Sequence, residues 1–136
     1  MNLRKKIVAD TNVLVSFFCY PAGTVAEIMN TAIDEKVQMV ISEDIIMEFE
    51  SVINRKFPGL SAQKAEFINF IRGSFELVAP SKKISAVKKD QTDNKIIECA
   101  NEAEADFIVS GDKHLLEMKR YGKIKIMAPA EFIKLI

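Results

Sequence analysis

The stretch "DNKIIECANEAEADFIVSGDKHLL" (93–116) decides how this chain folds, because its periodicity changes twice. "DNKIIECANEAEA" (93–105) reads as a helix. "DFIVSGD" (106–112), with Phe107, Ile108 and Val109 at its centre, reads as a strand. "KHLLEMKRYG" (113–122) returns to helix and is closed by Gly122. An acid marks each change. Asp93 opens the first helix, with Asp90 just before it, and Asp112 ends the strand and opens the next helix.

The same alternation runs outward to both ends. Toward the amino terminus, "FELVAP" (75–80) is a short strand, and "SAQKAEFINFIRG" (61–73) a helix capped by Ser61 and ended by Gly73. "EDIIMEFESVINRKF" (43–57) is a helix that stops before Pro58-Gly59, and "VQMVIS" (37–42) a strand. "TVAEIMNTAIDEK" (24–36) places Val25, Ile28, Met29, Ala32 and Ile33 at helical spacing behind Thr24 as N-cap. "KKIVAD" (5–10) is a buried strand ending on Asp10, and a second apolar run, Val13 to Phe18, follows at once. Toward the carboxyl terminus, "KIKIMAP" (123–129) is a last strand and "AEFIKLI" a helical turn or two. Strands alternating with helices predict an α/β fold, a parallel sheet with helices on both faces and right-handed crossovers. Ligands of such sheets sit outside the carboxyl ends of the strands, where Asp10 stands.

Bulk composition narrows the class. The 136 residues suit one domain, 1–136, and 49% hydrophobic content supplies a core. No apolar run is long enough to span a bilayer. The basic start "MNLRKK" leads into a run broken by Asp10 and Asn12, unlike a secretory signal. Cys19 and Cys99 form no metal-binding spacing and read as reduced core residues of a cytoplasmic protein. Nineteen basic and nineteen acidic residues cancel, so net charge does not speak to nucleic acid.

Asp93 and Asp112 each stand where Asp is a favoured helix cap, so either alone has a bland explanation. Asp10 lies between apolar runs and must face water, a partner or a metal, since burying it unpaired is costly. On the helix 43–57, Glu48 and Glu50 flank the apolar arc on opposite sides, and the wheel does not choose between them. Acids at several strand ends of one sheet converge on one cleft, where carboxylates are tolerable mainly around a cation. Oxygen donors without a Cys or His cluster point to Mg²⁺ or Mn²⁺.

"VADTNVLVSFF", "ISEDIIMEFESVI", the 93–116 stretch and the closing "IMAPAEFI" together resemble the PIN domain family, in particular the VapC-like toxin nucleases of prokaryotic toxin–antitoxin systems. The resemblance covers nearly the whole chain. It implies a three-layer α/β/α fold on a central parallel sheet of four to five strands. It implies a metal-dependent endoribonuclease whose acids match Asp10, Glu48, Asp93 and Asp112 here, as catalytic residues and ligands of Mg²⁺ or Mn²⁺. It thereby prefers Glu48 to Glu50. Asn12 matches a polar position that supports the first Asp, and Ser110 the hydroxyl before Gly111. Many relatives carry a further acid where this chain has His114, its only histidine. A ligand role, a phosphate contact and a plain polar helix position stay open for it.

In such an enzyme one or two ions lower the pKa of water for in-line attack on phosphorus, and the resemblance implies 5′-phosphate and 3′-hydroxyl products. Candidate RNA contacts are Arg4, Lys5, Lys6, Lys88, Lys89, Lys113, Lys119 and Arg120. The helices 43–57 and 61–73 carry Ile46, Phe49, Phe67, Phe70 and Ile71. Most of these are expected in the core, with an exposed remainder for a homodimer or a small antitoxin protein, as the resemblance suggests. Three alternatives compete. A haloacid-type phosphatase needs a second Asp where Asn12 stands. A receiver domain needs an acceptor Asp after its third strand, and "FELVAP" has none. A PIN-like scaffold that binds RNA or a partner without cutting is the remaining one.

Overall fold

The computed structural model describes residues 4–20, 23, 26–28, 30, 34, 36–86 and 91–136. β1 (Lys5–Ala9) leads through Asp10 into α1 (Thr11–Cys19). β2 (Val37–Ser42) leads into α2 (Glu43–Lys56), and a 3₁₀ turn over Pro58–Leu60 leads into α3 (Ser61–Ser74). β3 (Glu76–Val78), α4 (Gln91–Ala103), β4 (Phe107–Val109) and α5 (Lys113–Met118) follow. β5 (Arg120–Tyr121), β6 (Ile124–Met127), α6 (Pro129–Phe132) and a 3₁₀ turn over Ile133–Leu135 close the chain. The sheet order is β3-β2-β1-β4-β6-β5, parallel except for the β5–β6 edge pair. The fold is the three-layer α/β/α arrangement.

β1 and β2 are central because they have no polar face to show. Ile7, Val8 and Ala9 are buried in succession, and so are Met39 through Ser42. Such unbroken β-branched runs suit strands covered on both faces. α4 packs on β1, β2, β3 and β4, and α2 packs on α1, α3 and α4. Phe49 of α2, fully buried, stacks at 5.6 Å on Phe18 of α1 and at 5.2 Å on Phe67 of α3, which ties these helices together.

Several expectations need correction. The sheet has six strands, not four to five, because the chain after Met118 is not helix. Lys119 takes φ 64°, which breaks the helix, and Gly122 at φ 59° makes the tight turn that folds Arg120–Tyr121 back on Ile124–Met127. The second apolar run is a helix, α1, with Asp10 as its N-cap. Ser61 is the first residue of α3 rather than its cap, since the Pro58 turn feeds straight into it, and Gly73 lies inside that helix. α4 begins two residues before Asp93, which therefore sits in the first turn and not at the cap. Cys99 is buried as expected, and burial pushes its thiol up to about 12, so it stays protonated. Cys19 is only half-buried, at the last turn of α1. Of the helix expected over 24–36, residues 26–28 and 30 are helical, and its other apolar positions apart from Ile28 lie outside the described residues. Among the described residues, no helix is long and apolar enough to cross a membrane.

Candidate active site

The strand order reverses between β1 and β4, so the chain leaves these two neighbours in opposite directions across the sheet. That is where an open α/β sheet forms a crevice at its carboxyl edge. The register pairs Ala9 with Val109, and Asp10 N–H donates to Val109 O at 3.1 Å. Asp10 and Ser110 are therefore placed side by side by the backbone itself. Ser110, fully buried, donates its hydroxyl to Asp10 Oδ2 and accepts the Asp112 N–H at 2.9 Å. One hydroxyl thus links the two strand-end acids.

Asp10 and Asp112 both cap helices. Asp10 Oδ1 accepts the Val13 N–H at 2.8 Å, and Asp112 Oδ1 accepts those of His114 and Leu115 at 2.8 and 3.1 Å. Capping therefore holds each carboxylate in place, and capping and chemistry are not alternatives. From the two helices on the other side come Glu48 of α2 and Asp93 of α4. Together Asp10, Thr11, Asn12, Glu48, Asp93, Ile96 and Asp112 line one cavity of about 120 Å³. Glu50 instead faces α3, 3.7 Å from Lys64 Nζ, so the cavity side of α2 is that of Glu48.

The acids feel one another. Burial raises the Asp10 carboxyl above its usual range, the charge of Asp112 adds to the rise, and hydrogen bonds from Ser110, Val13 and Gly111 offset part of it. Burial also pulls Asp112 upward, but a hydrogen bond with Asp93, the N–H groups of Leu115 and His114, and the nearby His114 charge outweigh it, and its pKa is lowered.

A model of the PIN domain family matches residues 6–114. The chain belongs to the PIN domain family. An uncharacterized protein of Methanocaldococcus jannaschii, MJ1680, is 29% identical over 144 aligned positions, which span 97% of this PIN domain chain and 92% of that protein. VapBC2 from Rickettsia felis, solved bound to a DNA fragment from its promoter, matches with a TM-score of 0.66 at 13% identity, covering 89% of this chain and 96% of that one. DNA-bound VapBC from Salmonella typhimurium gives 0.61 at 17% identity, over 92% and 98%. The RRP44 PIN domain of T. brucei gives 0.51 at 11% identity, over 98% and 81%. At these identities the solved structures share the fold.

The donor set of this PIN domain suits a hard divalent ion: four carboxylates, an amide and a hydroxyl, all oxygen donors. Thr11 Oγ1 is buried with no hydrogen-bond partner among the described residues, which leaves a polar atom at the cavity wall for water or ligand. Among the described residues no three His, Cys, Asp or Glu side chains form a metal-holding cluster.

The remaining candidates are spread more widely. His114 donates its backbone N–H to Asp112 and does not line the cavity. Arg4, Lys5 and Lys6 lie at the start of β1, at the opposite edge of the sheet, and Lys6 Nζ is engaged by Glu76 at 3.2 Å. Lys119 and Arg120 follow the far end of α5, also away from the acids. Lys113 alone of the described candidates adjoins an acid of the cavity. Asp90, Lys88 and Lys89 lie outside the described residues. Sequence reading passed over Thr11 and Lys95. The spacing Asp44, Glu48, Ser51 (i, i+4, i+7) marks the helix face that meets them.

Proposed function

We propose that this PIN domain is a Mg²⁺- or Mn²⁺-dependent endoribonuclease that hydrolyses RNA phosphodiester bonds, acting as the toxin of a toxin–antitoxin pair. The observation that carries the reading is the convergence of Asp10, Glu48, Asp93 and Asp112 on one cavity at the switch point of the sheet. Asp10, Asp93 and Asp112 would hold the ion, with Glu48 as a further ligand or as the group that orients water. When bound, the ion supplies Lewis acidity, activating water for in-line attack and offsetting charge on the phosphate. The chain's own residues do the positioning. Ser110 fixes the Asp10 carboxylate, the α5 N–H groups fix Asp112, and the first turn of α4 presents Asp93. Asn12, exposed at the cavity rim, is placed to contact a phosphate oxygen or an ordered water.

The VapBC structures of Rickettsia felis and Salmonella typhimurium are DNA-bound complexes, and this supports a small antitoxin protein as partner. The half-buried rings of Phe17, Phe67 and Phe70 on α1 and α3 offer an apolar surface for that protein or for a second copy of the chain. We place the reaction in the cytoplasm, where the free cysteines Cys19 and Cys99 would stay reduced. Purified protein incubated with tRNA, rRNA and mRNA tests the reading. Mn²⁺-dependent cleavage that a chelator abolishes is expected, and intact RNA under all conditions would refute it.

A further inference from the structure

Beside the acid cavity, between α2 and α4, lies a larger groove of about 400 Å³. Thr11, Glu48 and Ile96 line both spaces, so the two are continuous. The groove differs from the cavity in chemistry. Its wall is apolar at Ile45, Met47 and Ile96, and Met47 is 63% exposed. It carries a cation, Lys95, whose Nζ stands 3.5 Å from Glu98 and 3.9 Å from Asp44. Where the groove meets the cavity, Thr11 is 7% exposed and its hydroxyl lacks a partner among the described residues.

A polyanion approaching four carboxylates is repelled even with one ion bound, and a positive side chain one residue-width away offsets that field. Lys95 can serve because one of its two ion pairs is weak. The Asp44 pair is long and both side chains are about half exposed, 41% and 50%, so it contributes little and exchanges readily. Glu98 is nearly buried and uses both oxygens, Oε1 at 3.5 Å from Lys95 Nζ and Oε2 accepting the Ile84 N–H at 2.9 Å, so it holds the ammonium at the groove while Asp44 gives way. Met47, the exposed apolar side chain of the groove, offers a flat base an apolar platform. Resting on the nuclease reading of the acid cavity, we propose that this groove seats one nucleotide of single-stranded RNA next to the bond to be cut, its base against Met47 and its phosphate on Lys95. The Thr11 hydroxyl then donates to a phosphate oxygen at the junction of the two spaces.

Binding and cleavage separate this proposal from the reading it rests on. A labelled, unstructured oligoribonucleotide is titrated in Ca²⁺ by fluorescence anisotropy, and its cleavage is followed in Mn²⁺. Lys95→Gln is expected to weaken binding about fivefold and to reduce the slope of log Kd against log salt by about 0.7. In Mn²⁺ it raises KM while kcat changes by less than about twofold. Lys95→Arg restores affinity. Met47→Ser weakens binding about threefold with the salt slope unchanged, as loss of a stacking surface should. Lys134→Gln, on the exposed carboxyl-terminal turn, changes neither. Wild-type affinity and slope in Lys95→Gln would overturn the groove assignment while leaving the nuclease reading intact. Lys95-dependent binding without any cleavage in Mn²⁺ would support the groove and overturn the nuclease reading instead.

Discussion

At the amino edge of the sheet, Glu76 lies 3.2 Å from Lys6 Nζ and Asp106 Oδ2 accepts the Lys6 N–H at 2.9 Å. At the carboxyl edge, Asp10, Glu48, Asp93 and Asp112 share a cavity with no basic side chain among its described lining. Both edges are built from the same strands, and both use acids. The first edge satisfies its acids with the protein's own donors. The second leaves them to be satisfied by a hydroxyl, a few N–H groups and whatever binds. An acid in a fold is read by its neighbours: one paired with a base holds the structure together, and a crowded set of acids makes room for a cation.

The sharpest way to break the comparison is to neutralise one crowded acid. Asp10→Asn should lower Mn²⁺-dependent RNA cleavage by at least about 100-fold. Because Asn also caps helices well, the thermal midpoint of the variant in chelator should stay at or above wild type. Full activity in this variant, or collapse of its fold, would erase the distinction between the edges. Ser110→Ala removes the hydroxyl that joins Asp10 to the Asp112 backbone. It should cost about tenfold in cleavage and about 1–2 kcal/mol in stability, measured by denaturant unfolding.

Acidity sharpens the contrast further. The folded pKa of Asp10 is raised, so the folded protein holds this proton more tightly than the unfolded chain does. In chelator, its contribution makes the fold more stable as pH falls through the raised pKa toward the ordinary carboxylate value, and less stable as pH rises. The folded pKa of Asp112 is lowered, so its contribution is present above the ordinary value and is lost only as pH falls through the lowered one. Mn²⁺ binds the ionised acids, so the midpoint gain on adding it should be largest at neutral pH and shrink on acidification. At a free concentration about 100 times Kd the gain corresponds to about 2.7 kcal/mol. A metal shift independent of pH, or equal in Asp10→Asn, would count against an acid-held ion. The smallest effect belongs to the other edge. Lys6→Gln breaks a pair whose side chains are about a third exposed, 34% and 39%, and should change stability by less than about 1 kcal/mol and cleavage not at all.

How far the sequence was legible depended on whether the deciding contacts were local. The strands Ile7–Ala9, Met39–Ser42 and Phe107–Val109 announce themselves as unbroken apolar runs, and the helices after them by their period. The hairpin at 120–127 was missed because the turn at Lys119–Gly122 hides behind a run that scans as helix, and only pairing with β6 selects the strand. The run of α1, Val13 to Phe18, is apolar except for Ser16 and so shows no clear period that would assign it from sequence. The basic residues misled for a related reason. "RKK" and "KR" are conspicuous in one dimension, yet β1 and α5 carry them to the far edge, while the isolated Lys95 faces the groove.

The order of strands and helices, the acids at the ends of β1 and β4, and membership of the PIN domain family lay in the sequence itself, because each rests on neighbours within a few residues. The helix period by itself left Glu48 and Glu50 undecided, and tertiary structure alone decided that Ser110 bridges two acids and that a lysine-bearing groove opens beside them. These depend on the register between β1 and β4 and on the packing of α2 against α4, and both are set by the whole core rather than by any one segment.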